Sequence, residues 1–542
     1  MTQPFRSPSA PMTGADAYRE AVRLDGLGQY GEAQKLCHQL LKAKPDLPDV
    51  HHLLGVIFFH AERFDDAARH LKQSLKLKPE MTEAAFNLSK VYYRKGKWPE
   101  LLATLKTVHK AWPERSDILV DIGLAQEQIG DIAAATRTYH GVLESDPQSP
   151  VAHANLGAIL TRQGKVAEAD KHLAAALAAP NPPVSAYMNI AVLREVEDRR
   201  ADAIAAYDAL IQLQPDLAQA HFQRALALLS QGPFAEGWRE YVWRFRRSDA
   251  RTLDKAFALP YWQGEPLGGQ KLLVWTEQGP GDEILLASMI PDLLERAADV
   301  TLVCSPRLVP LFRRSFPACR VVSTERIHHA DSGTSQCTLQ ASFSHLGDAL
   351  RPTLKAFPAR PKYLAADPAK RAALRARYQA GNADRKLVGL GWHSANASAE
   401  HHKSIGLDAW GPILRDRNVT FVSLQYGDHA RDIRAARETH GCDIINDKSI
   451  DALKNIDDMA AQVAAMDCVV SVSNTTVHVA GGLGIPTLAL IPHSYGRLWY
   501  WFLDGVVSPW YPALRLFRQS QMGDWSSPLA DAGDALTHAL EA

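Results

Sequence analysis

The chain has 542 residues, enough for two to four domains with substantial cores. Its 46% hydrophobic and 22% charged residues are those of a folded globular protein, and Lys+Arg and Asp+Glu both number 60. No net basic field therefore favours nucleic acid or an anionic membrane. The opening MTQPFRSPSAPM lacks the apolar stretch of a signal peptide, and no continuous apolar run is long enough to insert in a membrane. Cys37, Cys304, Cys319, Cys337, Cys442 and Cys468 are scattered without a C-x-x-C. Together these features predict a cytoplasmic protein with no disulfide framework and no zinc site. His328-His329 and His401-His402 have no ligand partners at metal spacing.

Pro45, Pro79, Pro113, Pro147 and Pro215 are separated by 34 residues or multiples of 34. Gly28, Gly96, Gly130, Gly164 and Gly232 keep the same period, as do Ala33, Ala67, Ala135, Ala169 and Ala203. This is the tetratricopeptide pattern, and it predicts an all-α superhelix over 14–248: six helix-turn-helix units and a partial, capping seventh. Gly55, Ser89, Gly123, Gly157, Ala191 and Ala225 fall where paired helices must approach closely. Asn87, Asp121, Asn155, Asn189 and Gln223 form a further register of the same period. Such a ladder either hydrogen-bonds an extended peptide in the groove or ties neighbouring helices together. It is similar to the asparagine ladder of O-linked N-acetylglucosamine transferase, which implies a protein acceptor held by the repeats. The junction then turns aromatic, with Trp238, Tyr241, Trp243 and Phe245, as expected of a cap that bolts the solenoid to the next domain.

Beyond about 255 the texture changes to short β-branched runs alternating with helical stretches. KLLVWT (271–276), VTLVC (300–304), CRVVS (319–323) and CTLQASF (337–343) form one block of expected strands. KLVGLGWH (386–393), VTFVSLQ (419–425), CDIIN (442–446), DCVVSVS (467–473) and PTLALI (486–491) form a second. The expected architecture is α/β, with two Rossmann-like domains at 255–365 and 366–530 facing a cleft, and a C-terminal helix at 531–542.

Three loops at strand ends carry candidate chemistry. In the first, Glu277-Gln278-Gly279-Pro280-Gly281-Asp282-Glu283, Gly and Pro make a tight turn; Asp282 is expected to cap the following helix, and its carboxylate is also placed to deprotonate a hydroxyl, two compatible roles. The second runs Trp392-His393-Ser394-Ala395-Asn396 to His401-His402-Lys403-Ser404, where Lys403 or His393 is placed to neutralise a phosphate. Gln425 ends the adjacent strand and, with Gly281, Trp392, His393, Lys403 and Thr476, is a candidate donor-binding residue. The third places Ser473, Asn474, Thr475 and Thr476 at a helix start with His478 one turn on, the makings of an anion site.

These loops, in this order, resemble glycosyltransferase family 9, the heptosyltransferase-like GT-B enzymes. Gly281-Asp282 matches that family's Gly-Asp, which implies Asp282 as catalytic base. SVSNTTVHVAGGLGIPTLALI (471–491) resembles the family's donor-phosphate segment. The match places Ser473, Asn474, Thr475 and His478 on the donor, with Ser473 standing where the family has Asp and Asn474-Thr475 where it has Thr-Gly. SPWYPALRLFRQ (508–519) is similar to a stretch in bacterial fusions of tetratricopeptide repeats with such a domain. Some of these fusions resemble flagellin glycosyltransferases, which implies a flagellin or other surface protein as acceptor.

The expected activity is transfer of a sugar from a nucleotide-sugar substrate to a Ser/Thr hydroxyl, with inversion and with no separate cofactor. No Asp-x-Asp occurs between 255 and 542, so a metal-clamped diphosphate is not indicated. The alternatives are a non-catalytic repeat adaptor with a degenerate transferase half, and a transferase acting on lipopolysaccharide or another glycan.

Overall fold

The computed structural model describes residues 13–247, 256–296, 299–380, 382–394, 400–415, 419–493 and 496–541. Ala395 and Asn396 of the second expected loop, the opening dozen residues and all of 248–255 lie outside them. The chain divides into two compact units, residues 1–189 and 190–542.

The first unit contains five helix pairs, from Gly14–Gly26 with Tyr30–Ala43 to Pro150–Arg162 with Val166–Leu177, and the start of the helix Val184–Val196. The small residues explain the pairing. A Cβ added at Gly55, Gly123 or Gly157 would fall 2.5, 2.5 and 2.6 Å from Leu71, Tyr139 and Leu173 of the second helix of the same repeat. Ala33, Ala67, Ala135 and Ala169 are fully buried in the matching contact. Each turn needs a left-handed residue, at φ 73° for Gly28, 63° for Gly96, 92° for Gly130 and 73° for Gly164. Where the periodic glycine is replaced, Glu62 adopts the same conformation at φ 58°, so the geometry outlives the residue that favours it.

The ladder residues bond mainly to their own array. Asn87 Nδ2 lies 2.8 Å from His52 Nε2 of the preceding repeat, and Asn189 Nδ2 donates to Ala154 O at 3.0 Å. Asn155 Nδ2 donates to the Tyr139 hydroxyl at 3.3 Å. Asp121 is the exposed member of the row. These contacts favour the inter-helix role over a free peptide-binding ladder.

The second unit begins with the last repeat helices, Arg200–Leu213, Ala218–Gln231 and Phe234–Tyr241, and continues into two sheets. The first sheet contains β1 (Leu272–Trp275), β2 (Val300–Cys304), β3 (Cys319–Ser323) and β4 (Leu339–Ser342), all parallel in the order β3-β2-β1-β4. The second contains β5 (Lys386–Gly391), β6 (Val419–Ser423), β7 (Ile444–Ile445), β8 (Cys468–Val472), β9 (Thr487–Ile491), β10 (Val507–Ser508) and β11 (Tyr511–Arg518). Its order is β10-β11-β9-β8-β5-β6-β7, parallel except for the β10–β11 pair. β1, β2, β8 and β9 are buried along their whole length, as strands covered on both faces must be, which is why they read as unbroken apolar runs.

The nine strands expected from sequence fall in place with trimmed ends; β10 and β11 were not anticipated. The C-terminal helix starts at Ser526 rather than 531. The division between units lies within the sixth repeat, not at the 248–255 junction, because the cap shares a core with both sheets. Phe234, Trp238 and Tyr241 belong to the same buried cluster as Leu346, Leu350, Trp501 and Phe502. A Cβ on Gly347 would lie 2.3 Å from the Trp238 ring, whose Nε1 donates to Arg351 O at 3.1 Å. Of the expected aromatic bolt, Trp238 and Tyr241 are buried within this core, whereas Trp243 is half-buried and stacks on His221 and Phe245 packs against a separate cluster with Trp275.

Candidate active site

Among the parallel strands of each sheet the order reverses at one place: between β1 and β4 in the first, and between β5 and β8 in the second. Adjacent chains leave such a point in opposite directions and open a crevice beyond the carboxyl ends of the strands. The loops after β1, β5 and β8 leave from these points and line a cavity of about 400 Å³. Of the expected site residues, it brings together Gly281, Asp282, Lys403, Ser473, Asn474, Thr475 and His478.

The helix after β1 is Pro280–Ala287, with Gly279 at its N-cap and Asp282 inside the first turn. The N-cap reading of Asp282 is therefore replaced: the carboxylate is not needed to start the helix. It is half-buried, and burial lifts it to about 6 against the pull of Arg244, a Gly279 backbone hydrogen bond and Lys403. A carboxylate in that range is ionised at neutral pH yet basic enough to take a proton. Gly281 lets the two helix starts meet, since a Cβ there would lie 3.1 Å from His478 Cδ2.

Lys403 is 2% exposed and comes from the second loop. Burial lowers its ammonium to about 8, with Asp282 attracting it from across the cavity. It remains a cation at neutral pH. Arg307, after β2, is a second cation on the wall and donates to Leu453 O at 2.9 Å.

The third loop differs from expectation. Asn474 is the N-cap of Thr475–Leu483: its Oδ1 accepts from Thr476 N at 2.9 Å and its Nδ2 donates to His393 O at 3.1 Å. Ser473 Oγ accepts from Trp501 Nε1 at 2.8 Å. Thr476 is fully buried with its hydroxyl unpartnered, and it does not line the cavity. Thr475 alone of the four is half-exposed. The anion-binding capacity of this loop thus lies in the helix start and Thr475 rather than in four side chains.

His478 is no cation. Its Nδ1 lies 2.9 Å from the Tyr511 hydroxyl and its Nε2 3.3 Å from that of Tyr500, with Trp501 stacked on the ring. Burial lowers it to about 3, so it lines the cavity as a neutral imidazole. Trp392, His393 and Gln425 stand behind the wall. Trp392 is 2% exposed and donates from Nε1 to Asp432 at 3.2 Å, and His393 Nδ1 lies 3.1 Å from Ser404 Oγ. Gln425 Oε1 accepts from the backbone N–H of Trp392 and His393 at 3.0 and 2.9 Å. These three shape the β5 loop, because the strand end leaves backbone donors that a side chain must satisfy.

The sequence does not mark Arg307, Tyr426 and Tyr500 on the wall, nor Arg244 behind Asp282; Glu277 and Gln278 belong to the first expected loop, but no local pattern gives them a role there. Arg244 lies in the cap, far from the loops in sequence, and no local pattern marks it. The SPWYPALRLFRQ stretch has a structural role. Tyr511 holds His478, and Arg518 Nη2 donates to Trp501 O at 2.6 Å while its Nη1 donates to Phe502 O at 3.1 Å, fixing the turn that carries the aromatic cage.

Fold and site together define a tetratricopeptide array continued into a two-sheet parallel α/β unit with a polar crevice. The tetratricopeptide repeat model matches residues 18–68, 61–115 and 120–186. Protein FlbA of Caulobacter vibrioides is 33% identical over 435 residues, 77% of this chain and 72% of that protein. The chain belongs to the same family as Protein FlbA. Among solved structures, MamA from AMB-1 is similar at 21% identity, over 30% of this chain and 88% of its own, with a TM-score of 0.28. Pseudomonas aeruginosa PilF is similar at 17% identity over 37% of this chain and 92% of its own, with a TM-score of 0.32. Among the described residues no helix is long and apolar enough to cross a membrane.

Proposed function

We propose that the chain is an inverting, metal-independent GT-B glycosyltransferase that moves a sugar from a nucleotide-sugar donor to a Ser/Thr hydroxyl of a protein. The observation that carries this reading is one carboxylate, Asp282, facing one buried cation, Lys403, across a crevice at the switch points of two parallel sheets. Asp282 takes the proton of the acceptor hydroxyl while its oxygen bonds to the anomeric carbon. The bond from that carbon to the donor phosphate breaks, and the phosphate keeps the electron pair. Lys403, Arg307 and the start of Thr475–Leu483 stabilise the departing charge.

The repeats supply the acceptor. Tethering a polypeptide on the same chain as the crevice raises its effective concentration to roughly millimolar, so a weakly recognised hydroxyl is still modified. A flagellin or another surface protein is the proposed acceptor class. One observation favours a second reading, a repeat adaptor with an inactive α/β half: Ser473, where the resembled family has Asp, is engaged by Trp501.

Incubating the full chain with nucleotide sugars and candidate surface proteins, followed by mass spectrometry of the acceptor, separates the two. A sugar-sized adduct on Ser or Thr supports the transferase; binding without transfer or donor hydrolysis supports the adaptor.

A further inference from the structure

We propose that Arg244, carried by the cap of the repeat array, is a positioning residue for Asp282, acting through the side-chain amide of Gln278. The inference deepens the reading of Asp282 as base and rests on it. Arg244 lies in the 3-10 turn Val242–Arg246, directly after the last repeat helix Phe234–Tyr241. It enters the loop after β1 from behind. Its Nη1 pairs with Glu277 at 2.6 Å. Glu277 is itself fixed, with Oε1 accepting from the Ser344 backbone N–H at 3.0 Å and hydroxyl at 2.7 Å.

Gln278 is the link. With its amide oxygen toward the guanidinium, both ends of the amide are satisfied. The oxygen then accepts from Arg244 Nη1 and Nη2 at 2.6 and 2.9 Å and from the Tyr241 hydroxyl at 2.8 Å. The nitrogen donates to Asp282 Oδ2 at 3.0 Å. Gln278 adopts φ 66°, a left-handed conformation unfavourable for a residue with a Cβ, and the guanidinium contacts hold it there. Arg244 thus dictates which end of the amide faces Asp282. Reversing the amide would turn an oxygen toward the carboxylate and repel it. This link holds Asp282 Oδ2 in place.

The groups acting on Asp282 are Arg244, Glu277 and Tyr241 on its own side and Lys403, Tyr500 and Tyr511 from the second sheet. Arg244 is the strongest of those favouring its ionised form. Losing Arg244, or the amide that relays it, shifts Asp282 ionisation to higher pH.

The test uses three full-chain proteins. Arg244→Met with Glu277→Gln removes the buried pair without stranding a charge. Gln278→Leu leaves the pair intact and cuts only the link. Arg246→Ala, a residue stacked on Trp243, is the control. Two readouts are taken: the pH profile of donor turnover, and the pH dependence of the Tm change that Asp282→Asn causes in each background. Asp282 is raised in the folded protein, so its ionisation opposes folding. The Tm gain from Asp282→Asn is therefore absent well below pH 4, grows between pH 4 and 6, and levels off above that.

In the first two variants we expect the acid limb of turnover, and the pH at which the Tm gain levels off, to move up by about half a unit or more. We also expect turnover at pH 7 to fall about tenfold with the donor KM unchanged. Unmoved transitions in both variants, or an equal movement in Arg246→Ala, overturn the proposal. Should the double variant not fold, Gln278→Leu decides. Should the unmodified chain show no turnover with any donor, the transferase reading falls, and the Tm readout still decides the role of Arg244.

Discussion

The loops after β1 and β8 are built alike: each leaves a buried parallel strand and enters a helix whose first turn meets the same cavity. They use their polar residues differently. After β1 the helix is capped by a glycine, and the neighbouring side chains of Glu277, Gln278 and Arg244 form a bracket that presents Asp282 to the cavity. After β8 the side chains serve the fold. Asn474 caps and braces, Ser473 receives Trp501, Thr476 is buried, and His478 is held neutral between two tyrosines. A row of polar residues at a helix start is therefore not a site by composition. What matters is which of them still has a bond to offer.

The contrast is sharpest at Asp282. Replacing it with Asn keeps the shape and removes the proposed base, so we expect transfer to fall about 10²–10⁴-fold in steady-state assays with donor affinity near normal. Lys403→Met comes next. Removing the buried cation opposite Asp282 should weaken binding of a nucleoside diphosphate about tenfold, read by calorimetry, whereas His478→Phe should leave that affinity within about twofold. Asn474→Ala tests the structural reading of the β8 loop. Loss of a cap and its brace to His393 O should cost about 1–2 kcal/mol in denaturant unfolding. The smallest effect has the opposite sign: Thr476→Val removes a buried hydroxyl that has no partner and should stabilise by about 1 kcal/mol, with nucleotide affinity unchanged.

Much of this molecule is legible in its sequence where the physics is periodic or local. The 34-residue spacing locates the helix pairs because every repeat solves the same packing problem, and Gly55 and Gly157 each sit where a Cβ has no room. The central parallel strands β1, β2, β8 and β9 are legible because both of their faces are buried. β11 escaped notice because its burial alternates and arginines interrupt it, so it reads as a loop. On the cavity wall, the places of Asp282 and Lys403 are legible from loop position. The restraint of Asn474 and Ser473 is not, since it depends on His393 and Trp501 arriving from distant segments. Arg244 was invisible for the same reason: its partner Glu277 is brought to it only by docking of the cap on the first sheet.

Calorimetric titration of the full chain with a panel of nucleotide sugars bears most directly on the crevice as a donor site. We expect saturable binding of one donor per chain. Its affinity should fall as pH rises through about 8, because Lys403, the buried cation on the wall, is charged below that pH and neutral above it. Absence of binding by every nucleotide sugar, or an affinity indifferent to pH between 7 and 9, would contradict the assignment.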